Sequence, residues 1–147
     1  MIIVSACLAG HKCRYDGKAM PNNAIMELVR SGQAVPVCPE CLGGLTTPRP
    51  SAEIIGGSGE DVLTGKAKVL AKNGDSFSDV TAAFVSGAYA ALEKAKNCGA
   101  DEAILKSSSP SCGCGTIYNG NFNGTKRSGN GVAAALFIQN GIRVRSV

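Results

Sequence analysis

Seven cysteines stand beside a single histidine, His11, in a chain of 147 residues. Thiolates are nucleophiles, redox partners and soft metal ligands, so this ratio points to thiol or metal chemistry. It leaves a Cys/His hydrolase or a multi-histidine metal site almost nothing to work with. Seven is an odd number, and the start Met1-Ile-Ile-Val lacks the basic region of an export signal. A disulfide framework is therefore not expected, and the expected setting is the reducing cytoplasm.

Spacing sorts these thiols. Cys38-Pro39-Glu40-Cys41 is a C-x-x-C pair, which suits a zinc knuckle or a redox couple. Cys112-Gly113-Cys114 is C-x-C beside glycine. Cys7 and Cys13 flank a loop that runs into Arg14-Tyr15-Asp16-Gly17. Cys98 sits at a helix end before Gly99 and reads as a small core hydrophobe. Structural zinc takes four thiolates in a tetrahedron, usually from paired knuckles, and only one C-x-x-C is present. An iron–sulfur cluster accepts thiolates from scattered loops, because each binds a different iron. Soft ligands with almost no imidazole favour the cluster.

Scattered thiols need elements that bring them together. Apolar periodicity predicts a strand over Met1–Ser5 and a helix over 22–32 with Ile25, Leu28 and Val29 on one face. A second strand follows at Ala34–Val37. The longest helix is predicted over Ser78–Asn97, capped by Ser78 or Asp79 and ended by Gly99. A strand at Ala103–Lys106, a helix at Gly131–Gln139 and a last strand at Ile142–Arg145 complete the pattern. Strands alternating with helices predict one α/β domain over 1–147, three-layered and Rossmann-like, with a mainly parallel sheet. Cys7 then lies two residues after the first strand, Cys38 directly after the second, and Cys112 six residues after the third. Ligands of such sheets bind outside the carboxyl ends of the strands, so these three thiols are expected to converge there. The stretch 41–77, apart from a ribbon near Lys66–Lys72, reads as an irregular loop covering the site. Tyr118–Gly124 reads as a hairpin or loop at its mouth.

Charge adds little. Fifteen Lys and Arg against eleven Asp and Glu give +4, and aromatics are 5% with no Trp. That composition lends no support to a nucleic-acid face. The longest apolar run, Val132–Ile138, is far too short to span a bilayer.

Six motifs occur in order: Ser5-Ala-Cys-Leu-Ala-Gly10, Cys13-Arg-Tyr-Asp-Gly17, Val37-Cys-Pro-Glu40, Leu42-Gly-Gly44, Thr47-Pro-Arg-Pro50 and Ser109-Pro-Ser-Cys-Gly113. Together they resemble a bacterial family, long labelled a domain of unknown function, whose characterised members include thiouracil desulfidase. The resemblance runs from residue 2 to about residue 145. It implies a [4Fe-4S] cluster held through Cys7, Cys38 and Cys112, with the fourth iron free of protein ligands. It also implies Glu40 as acid/base and Ser109 as a catalytic serine. The implied substrate is a small molecule, a thiolated nucleobase or nucleoside or a related thiocarbonyl compound, whose sulfur leaves as sulfide. Cys13 belongs to a motif in which other members carry a different residue. Cys41 and Cys114 stand where Val and Ser are more usual. Any of these three can offer a fourth ligand.

Replacing C=S by C=O requires a thiophile, a water and proton transfers. Glu40 is two residues from Cys38 and can deprotonate the water or protonate a ring nitrogen; Ser109 is three residues before Cys112 and can orient water or a carbonyl. Arg14, Tyr15 and Asp16 are expected to line the same pocket, although Asp16-Gly17 reads equally as a turn. Arg49 can hold an anion or a base carbonyl. Two other readings stay open. One is a non-catalytic iron–sulfur or zinc sensor with four protein ligands. The other is a thiol redox protein using Cys38 and Cys41, which requires a depressed thiol pKa.

Overall fold

Four short strands form the central sheet. In the computed structural model, which describes residues 1–147, β1 is Ile2–Ser5, β2 Ala34–Val37, β6 Glu102–Leu105 and β9 Arg143–Ser146. They lie in the order β2-β1-β6-β9, and every pairing is parallel. Register sets Ile3 beside Val35 and Ala103. Successive side chains of a strand point to opposite faces. Accordingly Ile3, Ala103 and Leu105 enter one apolar cluster, while Val4 and Ile104 enter another across the sheet.

Helices cover both faces. Helix α1, Asn23–Arg30, buries Ile25 in the smaller cluster, with Val4, Leu8 and Ala34. The Asn22 side chain caps it by accepting from Ile25 N at 3.2 Å. Helices α4, Thr81–Asn97, and α5, Val132–Gln139, cover the other face with Phe84, Leu92 and Phe137. Buried all along Val132–Phe137, α5 is the interior helix that its unbroken apolar run requires. This is the three-layer, Rossmann-like α/β arrangement. The strand order reverses between β1 and β6, and in such sheets the crevice at that reversal takes ligands.

Two expectations need correction. The stretch 41–77 is not one irregular loop. It contains α2 (Pro39–Leu42, partly outside it), β3 (Ala52–Ile55), α3 (Gly59–Leu63) and β4 (Lys68–Asn73), and leads into β5 (Ser76–Asp79). β3, β4 and β5 form an antiparallel sheet. β5 is exposed throughout, so it has no apolar alternation to read. The long helix also begins later than Ser78. Ser78 and Asp79 close β5, and Asp79 Oδ1 accepts from Thr81 N at 2.9 Å, turning the chain into α4. Strands β7 (Thr116–Tyr118) and β8 (Lys126–Ser128) form the expected hairpin.

One close approach positions the site. A Cβ on Gly87 of α4 would collide with the Pro39 carbonyl of α2, and one on Gly43 would collide with the Ala83 carbonyl. These paired glycines let α2 lie backbone to backbone on α4. No helix is long and apolar enough to cross a membrane.

Candidate active site

Cys7, Cys38 and Cys112 come from three different places in the chain and line one cavity of about 310 Å³. Cys7 lies in a 3₁₀ turn, Ala6–Ala9, that leaves β1. Cys38 ends the run from β2 and stands at the N-cap of α2, with Pro39 in the first helical position. The sequence showed no obvious helix start there, because the helix is a single short turn. Cys112 follows the loop from β6; it and Cys7 are buried.

Burial makes these thiols hold their protons. Desolvation raises Cys7, and the neighbouring Cys38 adds to it, against the pull of Lys106 and Arg14. Burial pushes Cys112 up to about 12, although the hydroxyls of Ser5 and Ser111 act the other way. Cys38 is raised by its hydrogen bond to the Cys13 thiol and then by burial. Buried thiols that oppose one another's ionisation favour a cationic group that displaces the protons. No group of three or more His, Cys, Asp or Glu side chains is arranged to hold a metal ion. Three thiols spread around a cavity instead match the donor set of a polynuclear cluster, whose thiolates bind separate irons.

The remaining thiols divide. Cys13 lines the same cavity; its thiol is lowered by the hydrogen bond with Cys38. Its carbonyl faces Cys38 Sγ at 3.8 Å and Cys41 Sγ at 3.9 Å. Cys41 lies outside the cavity, on a second pocket shared with His11, Cys13 and Cys38, and burial raises its thiol. The Cys114 thiol lies 3.6 Å from the Val144 carbonyl and packs against the core. Cys98 bonds the Ala95 carbonyl at 3.5 Å and also packs there.

Glu40 lines the cavity within a hydrogen-bonded chain. Arg49 Nε donates to its Oε1 at 3.0 Å, with both side chains largely buried. The Ser111 hydroxyl donates to its Oε2 at 2.8 Å and lies 2.9 Å from the Ser109 hydroxyl. Ser109 Oγ also accepts from the backbone N–H groups of Ser111 and Cys112, at 3.1 and 3.0 Å. Thus Ser109 shapes the loop that carries Cys112 and also faces the cavity. Ser111, hidden in a motif that reads as turn chemistry, connects the two expected residues.

Arg49 lines the cavity, but its donors face inward to the protein. Besides Glu40 it bonds the Thr46 carbonyl at 3.1 Å, Thr47 Oγ1 at 2.9 Å and the Cys13 carbonyl at 2.9 Å. A buried guanidinium must satisfy its donors, and this one does so by clamping three segments together. Arg14 and Tyr15 line the cavity, the guanidinium 5.9 Å from the ring centre. Asp16 does not line it. Its Oδ1 accepts from Lys18 N at 3.0 Å, which is the turn alternative.

Sequence reasoning passed over Lys106, Glu53 and Lys126, which also line the cavity, as does Tyr118 from the segment expected at its mouth. Lys106 Nζ donates to the Ser107 carbonyl at 3.2 Å. A lysine at the carboxyl end of a buried strand was the available signal. Glu53 Oε1 accepts from Gly120 N at 2.9 Å and Phe122 N at 3.3 Å, tying the 119–124 loop to β3.

The chain is similar to known proteins over nearly its whole length. The family model described as 2-thiouracil desulfurase matches residues 2–147. An uncharacterised protein of Bacillus subtilis (strain 168), YbbK, is 52% identical over 146 residues, 99% of this chain and 95% of its own. A solved structure of a [4Fe-4S]-dependent thiouracil desulfidase, TudS, superposes with a TM-score of 0.84 at 44% identity, covering 99% of this chain and 89% of that one. With residues 2–147 matched by the family model and a fold shared at a TM-score of 0.84, the chain belongs to the 2-thiouracil desulfurase family.

Proposed function

We propose that this chain is a cytoplasmic [4Fe-4S]-dependent desulfidase that converts the C=S of a thiolated nucleobase, nucleoside or related thiocarbonyl compound to C=O and releases sulfide. The observation that carries the reading is the meeting of Cys7, Cys38 and Cys112 on one cavity that also holds Glu40. One domain, residues 1–147, carries the whole site.

Cys7, Cys38 and Cys112 would hold the cluster. When bound, it supplies a soft Lewis acid for the substrate's sulfur. The protein supplies the rest. Glu40, oriented on one oxygen by Arg49 and on the other by Ser111, takes a proton from the attacking water or gives one to a ring nitrogen. Ser109, beside Ser111, orients the water or the substrate carbonyl. The net change is hydrolysis, with no electron gained or lost.

The other two readings are less well supported. A sensor needs a fourth protein ligand; Cys41 and Cys114 are not on the cavity, which leaves only Cys13 to supply one. A redox pair at Cys38 and Cys41 needs a lowered thiol pKa, whereas both are raised. The test is anaerobic reconstitution followed by assay with 2-thiouracil and 4-thiouracil. Sulfide release with uracil formation is expected. A protein with its full cluster that releases no sulfide from any thiolated base would overturn the proposal.

A further inference from the structure

One buried carboxylate on the cavity is only half engaged. In β3, Ile54 turns into the apolar core, so Glu53 points to the opposite face of the strand. There it borders the cavity while only 9% exposed. Its Oε1 accepts from Gly120 N at 2.9 Å and Phe122 N at 3.3 Å. A Cβ on Gly120 would lie 2.6 Å from the Ile54 carbonyl oxygen, so glycine lets the 119–124 loop settle on β3. Phe122 takes a left-handed φ of 54° there and sets its ring edge-on to Phe77, 5.7 Å between centres. These contacts hold the carboxylate in one orientation. Its Oε2 has no hydrogen-bond partner in the chain, and Glu53 forms no salt bridge. Every fully buried side-chain polar atom has a partner, so Oε2 is not fully buried, and the cavity is the space that Glu53 borders. A carboxylate withdrawn from water without a counter-ion costs free energy unless its lone pairs are filled. Glu40, by contrast, has both oxygens bonded within the chain.

We propose that Oε2 of Glu53 is a substrate-binding acceptor, which takes a hydrogen bond from an N–H or O–H of the thiolated base or nucleoside. The assignment rests on the reading of the cavity as a desulfidase site. An ionised carboxylate can only accept. A substrate that presents a donor to it is held, and one that presents a carbonyl or another acceptor is repelled. The donor is a ring N–H or a ribose hydroxyl, and the two sources are separable by experiment. Glu53 thus has two tasks: Oε1 fixes the loop at the cavity mouth, and Oε2 reads one edge of the substrate.

Glu53→Gln separates the tasks. Its amide oxygen still accepts from Gly120 and Phe122, while its NH2 group turns the cavity-facing acceptor into a donor. The experiment compares steady-state kinetics of the reconstituted protein on 2-thiouracil and 2-thiouridine with calorimetric binding of the products, uracil and uridine. A lost hydrogen bond to a charged group should raise KM and weaken product binding by about tenfold or more, with the effect on KM rather than kcat. Melting temperature and iron content should match the wild type, whereas Glu53→Ala, which also loses the loop anchor, should melt lower. An effect with the free base assigns the donor to a ring N–H; an effect with the nucleoside alone assigns it to the ribose. Wild-type protein gives a check that needs no variant. Either 1-methyl- or 3-methyl-2-thiouracil in the first case, or 2′-O-methyl- or 3′-O-methyl-2-thiouridine in the second, should show the same rise in KM. Wild-type KM and product binding in Glu53→Gln for base and nucleoside alike, or analogue KM values all equal to those of the parents, would overturn the proposal. No sulfide from either protein, with product binding that Glu53→Gln weakens, would overturn the desulfidase reading and leave the contact standing. Neither release nor binding would overturn both.

Discussion

The Ser111 hydroxyl donates to Oε2 of Glu40 at 2.8 Å, across 71 positions of the chain. That bond joins α2, which carries Cys38, to the loop that carries Cys112. It also continues to Ser109 and, through the other carboxylate oxygen, to Arg49. Site geometry therefore depends on a residue that touches both expected catalytic side chains.

Replacing Ser111 by Ala removes this donor and leaves the Glu40 oxygen unpaired. A hydrogen bond to a charged group is worth about 1.5–3 kcal/mol. Expressed fully in the transition state, that is roughly a ten- to hundredfold loss of kcat/KM. Ser111→Thr should recover part of the loss, because it keeps the hydroxyl. Iron content should stay at the wild-type level in both variants. Steady-state kinetics beside iron analysis checks this; wild-type kcat/KM in Ser111→Ala would remove Ser111 from the site.

Alanine at Cys7, Cys38 or Cys112 should abolish the brown visible absorbance of the reconstituted protein, since each thiolate holds a separate iron. Cys98→Ala and Cys114→Ala should keep it, because those thiols pack against the core. Visible spectra of the five variants, prepared without oxygen, decide the ligand set. Colour retained in all three cavity variants would refute it.

Stability of the cluster-free chain should fall at high pH. Burial raises Cys112 from the ordinary 9.0 to about 12 in the folded chain, and Cys7 and Cys38 move in the same direction. Above the ordinary value the unfolded chain has shed these protons while the folded chain keeps them. The unfolded state then binds fewer protons, so stability declines as pH rises. The contribution of Cys112 is complete below pH 9.0 and is lost as pH approaches about 12. Melting curves taken under reducing conditions measure it, and Cys112→Ala should flatten the slope. An equal slope in wild type and variant would show that Cys112 does not titrate this way.

Gly87→Ala tests the backbone contact that holds α2 on α4. The added Cβ would press on the Pro39 carbonyl, and neither backbone can yield cheaply. Overpacking of this kind costs about 1–3 kcal/mol. The expected result is a melting temperature lower by several degrees together with weaker iron retention, because Cys38 and Glu40 ride on α2. An unchanged melting temperature would mean that the helices separate without penalty.

The strands of the parallel sheet were legible because Ile2–Ser5 is a short β-branched run and Ala34–Val37 a short apolar one. Strand ends in turn located Cys7, Cys38 and Cys112 without any local spacing rule. What escaped was of another kind. α2 is one turn long and carries no apolar period. β5 is exposed on every residue, so no burial pattern marks it. Ser111 sits among residues whose composition reads as a turn, and only the folded chain shows its hydroxyl on Glu40. Arg49 was legible as a residue near the site, but its partners lie on three separate segments. Long-range side-chain pairing of that sort leaves no periodic trace in the chain.

The most direct test of the central claim is an anaerobic reaction of the reconstituted protein with 2-thiouracil and 4-thiouracil in heavy-oxygen water, without any electron donor. The account predicts sulfide and heavy-oxygen uracil in equal amounts, with Glu40→Gln keeping the cluster and losing most of the rate. A fully loaded protein that yields no sulfide, or uracil whose new oxygen does not come from water, would contradict it.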